Sequence, residues 1–274
     1  MPLSAVVKFT PQEKMKFDVS SGEQVHAFFL NLINAENPRL SERLHNDARS
    51  KPFSVSPIIN PDRTGKFFSC RPGEDYFVRF ATVSDEIATS LKETFMMISG
   101  LKKLYLFNIP VTVREIFLTR TGHPLAGYCS YQELLQEESV RDFSLIFHTP
   151  CAFRMKGKNL PLPLPEKIFK GYFYKWQDFS PVKFGINEDD LTRIIENDIA
   201  ITRYNIKTDV ARFSRSIQIG FRGKVSFKIK SKDAGCLQIL SSLAKYSFFA
   251  GTGYKSTMGM GQTEFVSGMG EKLK

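Results

Sequence analysis

Two histidines and a lysine near the N-terminus are the residues best suited to chemistry. His26 falls one residue past Val25, on the edge of the apolar stripe of a predicted helix. His45 closes the next short predicted helix, where the partial negative charge of a helix C-terminus favours a protonated imidazole. Lys51 follows six residues later. Imidazole titrates near neutrality, so one ring can accept a proton while another donates one. Such a set suits metal-independent cleavage of an RNA strand. One imidazole takes the proton of a 2′-hydroxyl, the other protonates the departing 5′-oxygen, and the ammonium steadies the charged phosphorane. The same residues read equally well as a helix-edge core histidine and a helix cap. His123, in a linker-like stretch, and His148, near a strand end, are assigned no role.

A second chemical feature lies near the other end, in Phe248–Gln262 (FFAGTGYKSTMGMGQ). Gly251, Gly253, Gly259 and Gly261 fall within eleven residues, with Lys255, Ser256 and Thr257 between them. Glycine visits positive φ and approaches another molecule closely because it has no Cβ. Successive backbone N–H groups in such a run can converge on an anion, which points to a phosphate ligand. The loop is not a Walker A loop, since Tyr254 separates Gly253 from Lys255. Nor is it a dinucleotide fingerprint: Ser256 stands where the third glycine belongs, and the segment runs from a helix into a strand. A glycine-rich turn with no ligand is the plainer alternative.

Charge points the same way. The 274 residues carry 38 Lys+Arg against 28 Asp+Glu, a net +10, and a pI near 9.4, which favours a polyanionic partner. Residues 203–232 hold nine of those bases (Arg203, Lys207, Arg212, Arg215, Arg222, Lys224, Lys228, Lys230 and Lys232) and one acid, Asp209. Lys228, Lys230 and Lys232 read as a solvated strand face, whereas Arg222 and Lys224 flank Gly223 and read as phosphate contacts from a turn. Arg215, Arg222 and Lys224 are therefore candidate RNA-binding residues, with Gly251, Gly253, Lys255, Ser256, Gly259 and Gly261 of the loop. Cys70, Cys129, Cys151 and Cys236 are far apart with no Cys-x-x-Cys, so neither a zinc site nor a disulfide framework is expected. No signal-peptide core and no long apolar run is present, and a soluble cytoplasmic protein without membrane association is expected.

The elements that must position these groups follow from periodicity. Leu3–Thr10 alternates as a strand, and Ser20-Ser21-Gly22-Glu23 has capping-box spacing. Val25, Phe28, Phe29, Leu32 and Ile33 then form the apolar stripe of a helix. Asn37-Pro38 opens a second short helix. Strands are expected at 53–59, 66–71 and 76–82, the last two joined by a Pro72–Asp75 turn, then a helix capped by Ser84 and a strand over 104–118. That order, β-α-β-β-α-β, is the ferredoxin-like unit. After a linker-like stretch at 119–130 a less regular second pass begins. It has a strand near 143–147, a helix bearing Ile168, Phe169, Tyr172, Phe173 and Trp176, another around 190–197, strands over 199–208 and 212–230, and a helix over 234–249. The expected fold is α+β, two tandem ferredoxin-like (RRM-like) domains with a C-terminal glycine-rich loop. Domain boundaries are expected at 1–122, carrying the catalytic residues, and 131–274, carrying the basic surface and the loop.

Three stretches together carry a family resemblance. The loop pattern G-x-G-x5-G-x-G before a final strand resembles that of the RAMP superfamily of CRISPR-associated RNA-binding proteins. His26–Ile58, with N-P-x-L-x-x-x-L-H ending at His45 and K-x-F-x-x-S starting at Lys51, is similar to the N-terminal signature of the superfamily's repeat-processing endoribonucleases. Thr149–Pro165 resembles their opening to a second domain. The resemblance spans nearly the whole chain and implies two ferredoxin-like domains and a metal-independent endoribonuclease without cofactor. It also implies cleavage of CRISPR precursor RNA repeats to 2′,3′-cyclic phosphate and 5′-hydroxyl ends. His45 matches the family's catalytic histidine and Lys51 its lysine. Archaeal members place a tyrosine on the first helix. Here that helix has none and Leu30 stands in the region, so His26 takes the role, as a histidine does in some relatives. The expected partners are CRISPR repeat RNA and effector-complex subunits, with the protein a monomer or homodimer. The alternative is a non-catalytic RAMP-type RNA-binding subunit of an effector complex.

Overall fold

The structure is a computed structural model that describes residues 1–46, 51–64, 66–98 and 104–268. Residues 47–50 of the family-like stretch and 269–274 of the expected second domain lie outside the described residues. The chain divides into two compact units. The first comprises Met1–Tyr128, Ala211–Ile217 and Lys255–Met260; the second comprises Cys129–Val210, Gln218–Tyr254 and Gly261–Lys274.

The first unit contains, in chain order, β1 (Leu3–Pro11), β2 (Met15–Phe17), α1 (Gly22–Glu36), α2 (Pro38–Asn46), β3 (Phe53–Val55), β4 (Asp62–Thr64), β5 (Phe67–Cys70), β6 (Tyr76–Thr82), α3 (Asp85–Met97), β7 (Leu104–Leu106), β8 (Ile109–Phe117) and β9 (Gly127–Tyr128). Its main sheet runs β3-β6-β1-β8-β7, with β9 also pairing β1. Taken with α1 and α3, the strands β1, β3, β6 and β8 form an antiparallel ferredoxin-like unit. The predicted strand at 66–71 is β5, but it does not join this sheet. It pairs with β2 and β4 in a separate three-stranded sheet. There Phe68 stacks on Phe17 at 5.7 Å, and Phe17 stacks on Phe107 at 4.6 Å, so an aromatic cluster draws β5 away from β6. Part of the expected linker is also absorbed: β9 lies against the start of β1, and Ser4 Oγ donates to the Leu125 carbonyl.

The stripe on α1 is buried as its spacing predicts, with Val25, Phe28, Phe29, Leu32 and Ile33 all in the core. Each large apolar side chain so buried contributes about 1.5–3 kcal/mol. The capping box does not form. Ser21 occupies the N-cap, but its Oγ accepts from the Ile58 N–H at 2.8 Å. Glu23 accepts instead from Ser214, through the backbone N–H at 2.8 Å and Oγ at 3.1 Å. Tertiary partners therefore replace the local cap. The other two predicted caps form, Asn37 accepting from Leu40 N–H at 3.0 Å and Ser84 accepting from Ile87 N–H.

The second unit contains α4 (Tyr131–Gln136), β10 (Asp142–Cys151), β11 (Phe153–Met155), β12 (Lys158–Leu160), α5 (Pro165–Phe179), α6 (Glu188–Asp198), β13 (Ile199–Arg212), β14 (Ile217–Ile229), α7 (Ala234–Ala250) and β15 (Thr263–Ser267), the β13–β14 tip counting with the first unit. Its sheet order, β13-β14-β10-β15, with α5 after β10 and α7 after β14, repeats the same topology. The α5 stripe is buried in full, and Trp176 stacks on Phe184 at 4.7 Å and meets Tyr246 edge-on at 5.1 Å.

Candidate active site

His26, His45 and Lys51 all belong to the first unit. His26 is half-buried on α1, one turn before Phe29 and Leu30. Its ring stacks on Phe53 of β3 at 5.6 Å, and Phe53 in turn stacks on Phe29 at 4.4 Å. Its Nδ1 donates to the main-chain carbonyl of Thr257 at 2.7 Å. Burial holds the imidazole below the ordinary histidine value of 6.5; the Thr257 carbonyl opposes this, and the charges of Lys51 and His45 reinforce it.

His45 is exposed in the last turn of α2, as its position in the sequence predicts. Lys51 Nζ donates to the carbonyls of Leu44, at 2.7 Å, and His45, at 3.3 Å. These are carbonyls that the end of a helix leaves without partners, and a cation is favoured there. Lys51 thus ties the α2 terminus to the start of β3 and keeps its ammonium beside His45. Among the described residues, no three His, Cys, Asp or Glu side chains gather as metal ligands.

The glycine-rich segment has a different geometry from an open anion cradle. Gly251, Gly253, Gly259 and Gly261 all lie at positive φ, and Lys255 is left-handed at +55°. The space beside three of them is filled by the protein's own backbone. A Cβ on Gly253 would lie 2.4 Å from the Ala152 carbonyl oxygen, and one on Gly261 would lie 1.8 Å from that of Thr252. One on Gly259 would lie 3.1 Å from Gly22 Cα and 3.2 Å from the Pro57 ring. Close packing of main chain on main chain therefore accounts for these glycines. Lys255, Ser256 and Gly259 fall in the first unit, Gly251, Gly253 and Gly261 in the second. Ser256 is buried, and Lys255 Nζ sits 4.2 Å from the centre of the Phe213 ring.

Of the basic candidates, Arg215 is exposed in the 211–217 segment of the first unit. Arg222 and Lys224 do not flank a turn. They lie within β14, on either side of Gly223, whose φ of +134° marks an irregular strand backbone packed against Asn205. A run of positive charge around a glycine suggests a turn locally, but pairing with β10 holds it extended. Arg222 forms an ion pair with Asp209 at 3.4 Å. The residue missed from the sequence is Thr257, whose contribution is a carbonyl that no side-chain pattern announces.

Two family models match the chain. CRISPR-associated endoribonuclease Cas6 covers residues 145–263, and the CRISPR Cas6 N-terminal domain covers residues 1–136. Only residues 137–144 and 264–274 fall outside them. The chain belongs to the Cas6 family.

Among Cas6 proteins, the CRISPR-associated endoribonuclease Cas6 of Streptococcus thermophilus is 28% identical over 176 residues, 62% of this chain and 68% of that protein. A solved Cas6 product complex is 24% identical and superposes with a TM-score of 0.83, covering 97% of this chain and all of that one. Thermus thermophilus Cas6 is 23% identical, with a TM-score of 0.74, over 97% of this chain and 98% of that one. These solved structures share the fold of two ferredoxin-like domains read from the sequence. Family membership makes this a CRISPR-associated, RNA-cleaving type of protein, as the resemblance implied. No helix among the described residues is long and apolar enough to cross a membrane.

Proposed function

We propose that this Cas6 protein cleaves the repeats of CRISPR precursor RNA by metal-independent general acid–base catalysis. The observation that carries this reading is geometric: Lys51 Nζ is bonded to the carbonyls of Leu44 and His45 at the end of α2, and His26 stacks on Phe53, two residues after Lys51, all within one unit. In the reaction one imidazole removes the 2′-hydroxyl proton as O2′ bonds to the adjacent phosphorus. The P–O5′ bond breaks, and the second imidazole delivers a proton to O5′. The strand then ends in a 2′,3′-cyclic phosphate on one side and a 5′-hydroxyl on the other. The Lys51 ammonium offsets the extra negative charge on the phosphorane.

Arg215, Lys255, Ser256 and Gly259 of the first unit, and Arg222, Lys224, Gly251, Gly253 and Gly261 of the second, are each proposed to contact the RNA backbone, the glycines only where their main chain is not already packed on the protein's own. The first domain, broadly 1–122, supplies the catalytic groups, and the second, broadly 131–274, supplies most of the basic surface. The protein is proposed to act in the cytoplasm, as a monomer or homodimer that hands its product to effector-complex subunits.

His45→Ala is expected to slow cleavage of labelled repeat RNA by about 10²–10⁴-fold, the usual contribution of a positioned acid or base. Repeat-RNA affinity in a filter-binding assay is expected to stay within a few-fold of the parent. A variant as active as the parent would remove His45 from the site and favour a non-catalytic RNA-binding subunit.

A further inference from the structure

We infer that the main-chain carbonyl of Thr257 is a positioning group that fixes His26 as its Nδ1–H tautomer and leaves Nε2 as the basic nitrogen. The inference rests on the catalytic role proposed for His26. A carbonyl oxygen only accepts, so the nitrogen 2.7 Å from it must carry the proton. A neutral imidazole has one such proton, and the lone pair then resides on Nε2. That atom has no hydrogen-bond partner among the described residues. The ring plane is held on its other side by Phe53. The proton of a 2′-hydroxyl would therefore go to Nε2. This leaves the exposed His45, in the last turn of α2, to protonate the leaving O5′.

The carbonyl is held in place by backbone, with no side chain whose rotamer could relax. Lys255 is left-handed, its carbonyl accepts from Met258 N–H at 2.9 Å, and Gly259 is again left-handed, so residues 255–259 close as one tight turn. That turn sits on the first residue of α1. A Cβ on Gly22 would lie 2.0 Å from the Met258 carbonyl oxygen. Gly22 opens the very helix that carries His26 one turn on, so the same contact fixes donor and acceptor together. The glycine-rich segment thereby acts on the chemistry as well as on any RNA it grips.

The test uses the full chain labelled with ¹⁵N-histidine, with long-range ¹H–¹⁵N spectra recorded above pH 7, alongside single-turnover cleavage of repeat RNA. The parent is expected to show His26 with a protonated Nδ1 and a bare Nε2. Gly22→Ala suits a helix start, since alanine is the better helix former, but its methyl must push the turn away. It is expected to lose that single-tautomer signature and at least about tenfold in the cleavage step, by analogy with other orienting partners of histidine, with the rate read at saturating protein so that any change in RNA affinity is separated from it. A parent spectrum with Nε2 protonated would overturn the inference whether or not Gly22→Ala folds. A Gly22→Ala protein with unchanged tautomer and rate would overturn the role of the turn. Full activity of His26→Ala beside an intact Nδ1–H signature in the parent would instead reject the catalytic reading, reducing the bond to a structural contact.

Discussion

An imidazole kept neutral by burial makes the fold sensitive to acid. Free histidine in the unfolded chain titrates near 6.5, while His26 in the folded protein titrates lower, chiefly because burial disfavours the charged ring. Between those two values the unfolded state binds the proton more readily, so stability rises with pH there. Above 6.5 both states are neutral and His26 contributes no slope; as pH falls below 6.5 stability is lost until the folded ring also protonates. His26→Gln should remove that part of the acid loss, visible as a smaller fall in urea midpoint between pH 6.5 and 5 than in the parent. Equal slopes would show that burial does not perturb the ring. The side chain itself was legible from the sequence, as a histidine beside an apolar stripe. Its partner was not: the bonded carbonyl is 231 residues away, and a main-chain atom leaves no mark in residue type.

Elements built on periodicity could be read directly, and those decided by tertiary competition could not. The α5 stripe of Ile168, Phe169, Tyr172, Phe173 and Trp176 is buried as spaced. The Ser20–Glu23 capping box failed because Ser21, one residue later, takes the N-cap position and bonds Ile58, while Glu23 accepts from Ser214. β5 left the main sheet for an aromatic neighbour, and Gly223 stayed in a strand because its ladder outweighed its freedom. The helix stripe also supports the glycine-rich segment in the second unit. There the buried Tyr172 hydroxyl meets Thr252 Oγ1 at 2.5 Å, and Thr252 Oγ1 meets Thr263 Oγ1 at 2.6 Å. Tyr172→Phe removes one member of this chain and should lower unfolding stability by about 1–2 kcal/mol, measured by urea denaturation. No measurable loss would mean the network is satisfied without it.

At the scale of the whole chain, the net charge of +10 and the repeated topology set expectations that local motifs cannot. The second ferredoxin-like unit was the harder one to read, because its two extra elements, the β11–β12 hairpin and α6, interrupt the pattern and no sequence repeat marks it. Binding of a polyanion by such a protein releases counterions. If about four phosphates are neutralised on single-stranded RNA, the log–log salt slope should be about −3, a roughly fifty-fold weaker affinity at 200 mM than at 50 mM salt. A flat salt dependence would contradict backbone-led recognition. The central claim, that side chains of this protein alone move the protons, is tested most directly by incubating it with end-labelled repeat RNA in excess EDTA and analysing the termini. Undiminished cleavage to a 2′,3′-cyclic phosphate and a 5′-hydroxyl is the predicted result. Cleavage that stops in EDTA and returns with a divalent cation, or that leaves a 3′-hydroxyl and a 5′-phosphate, would contradict it.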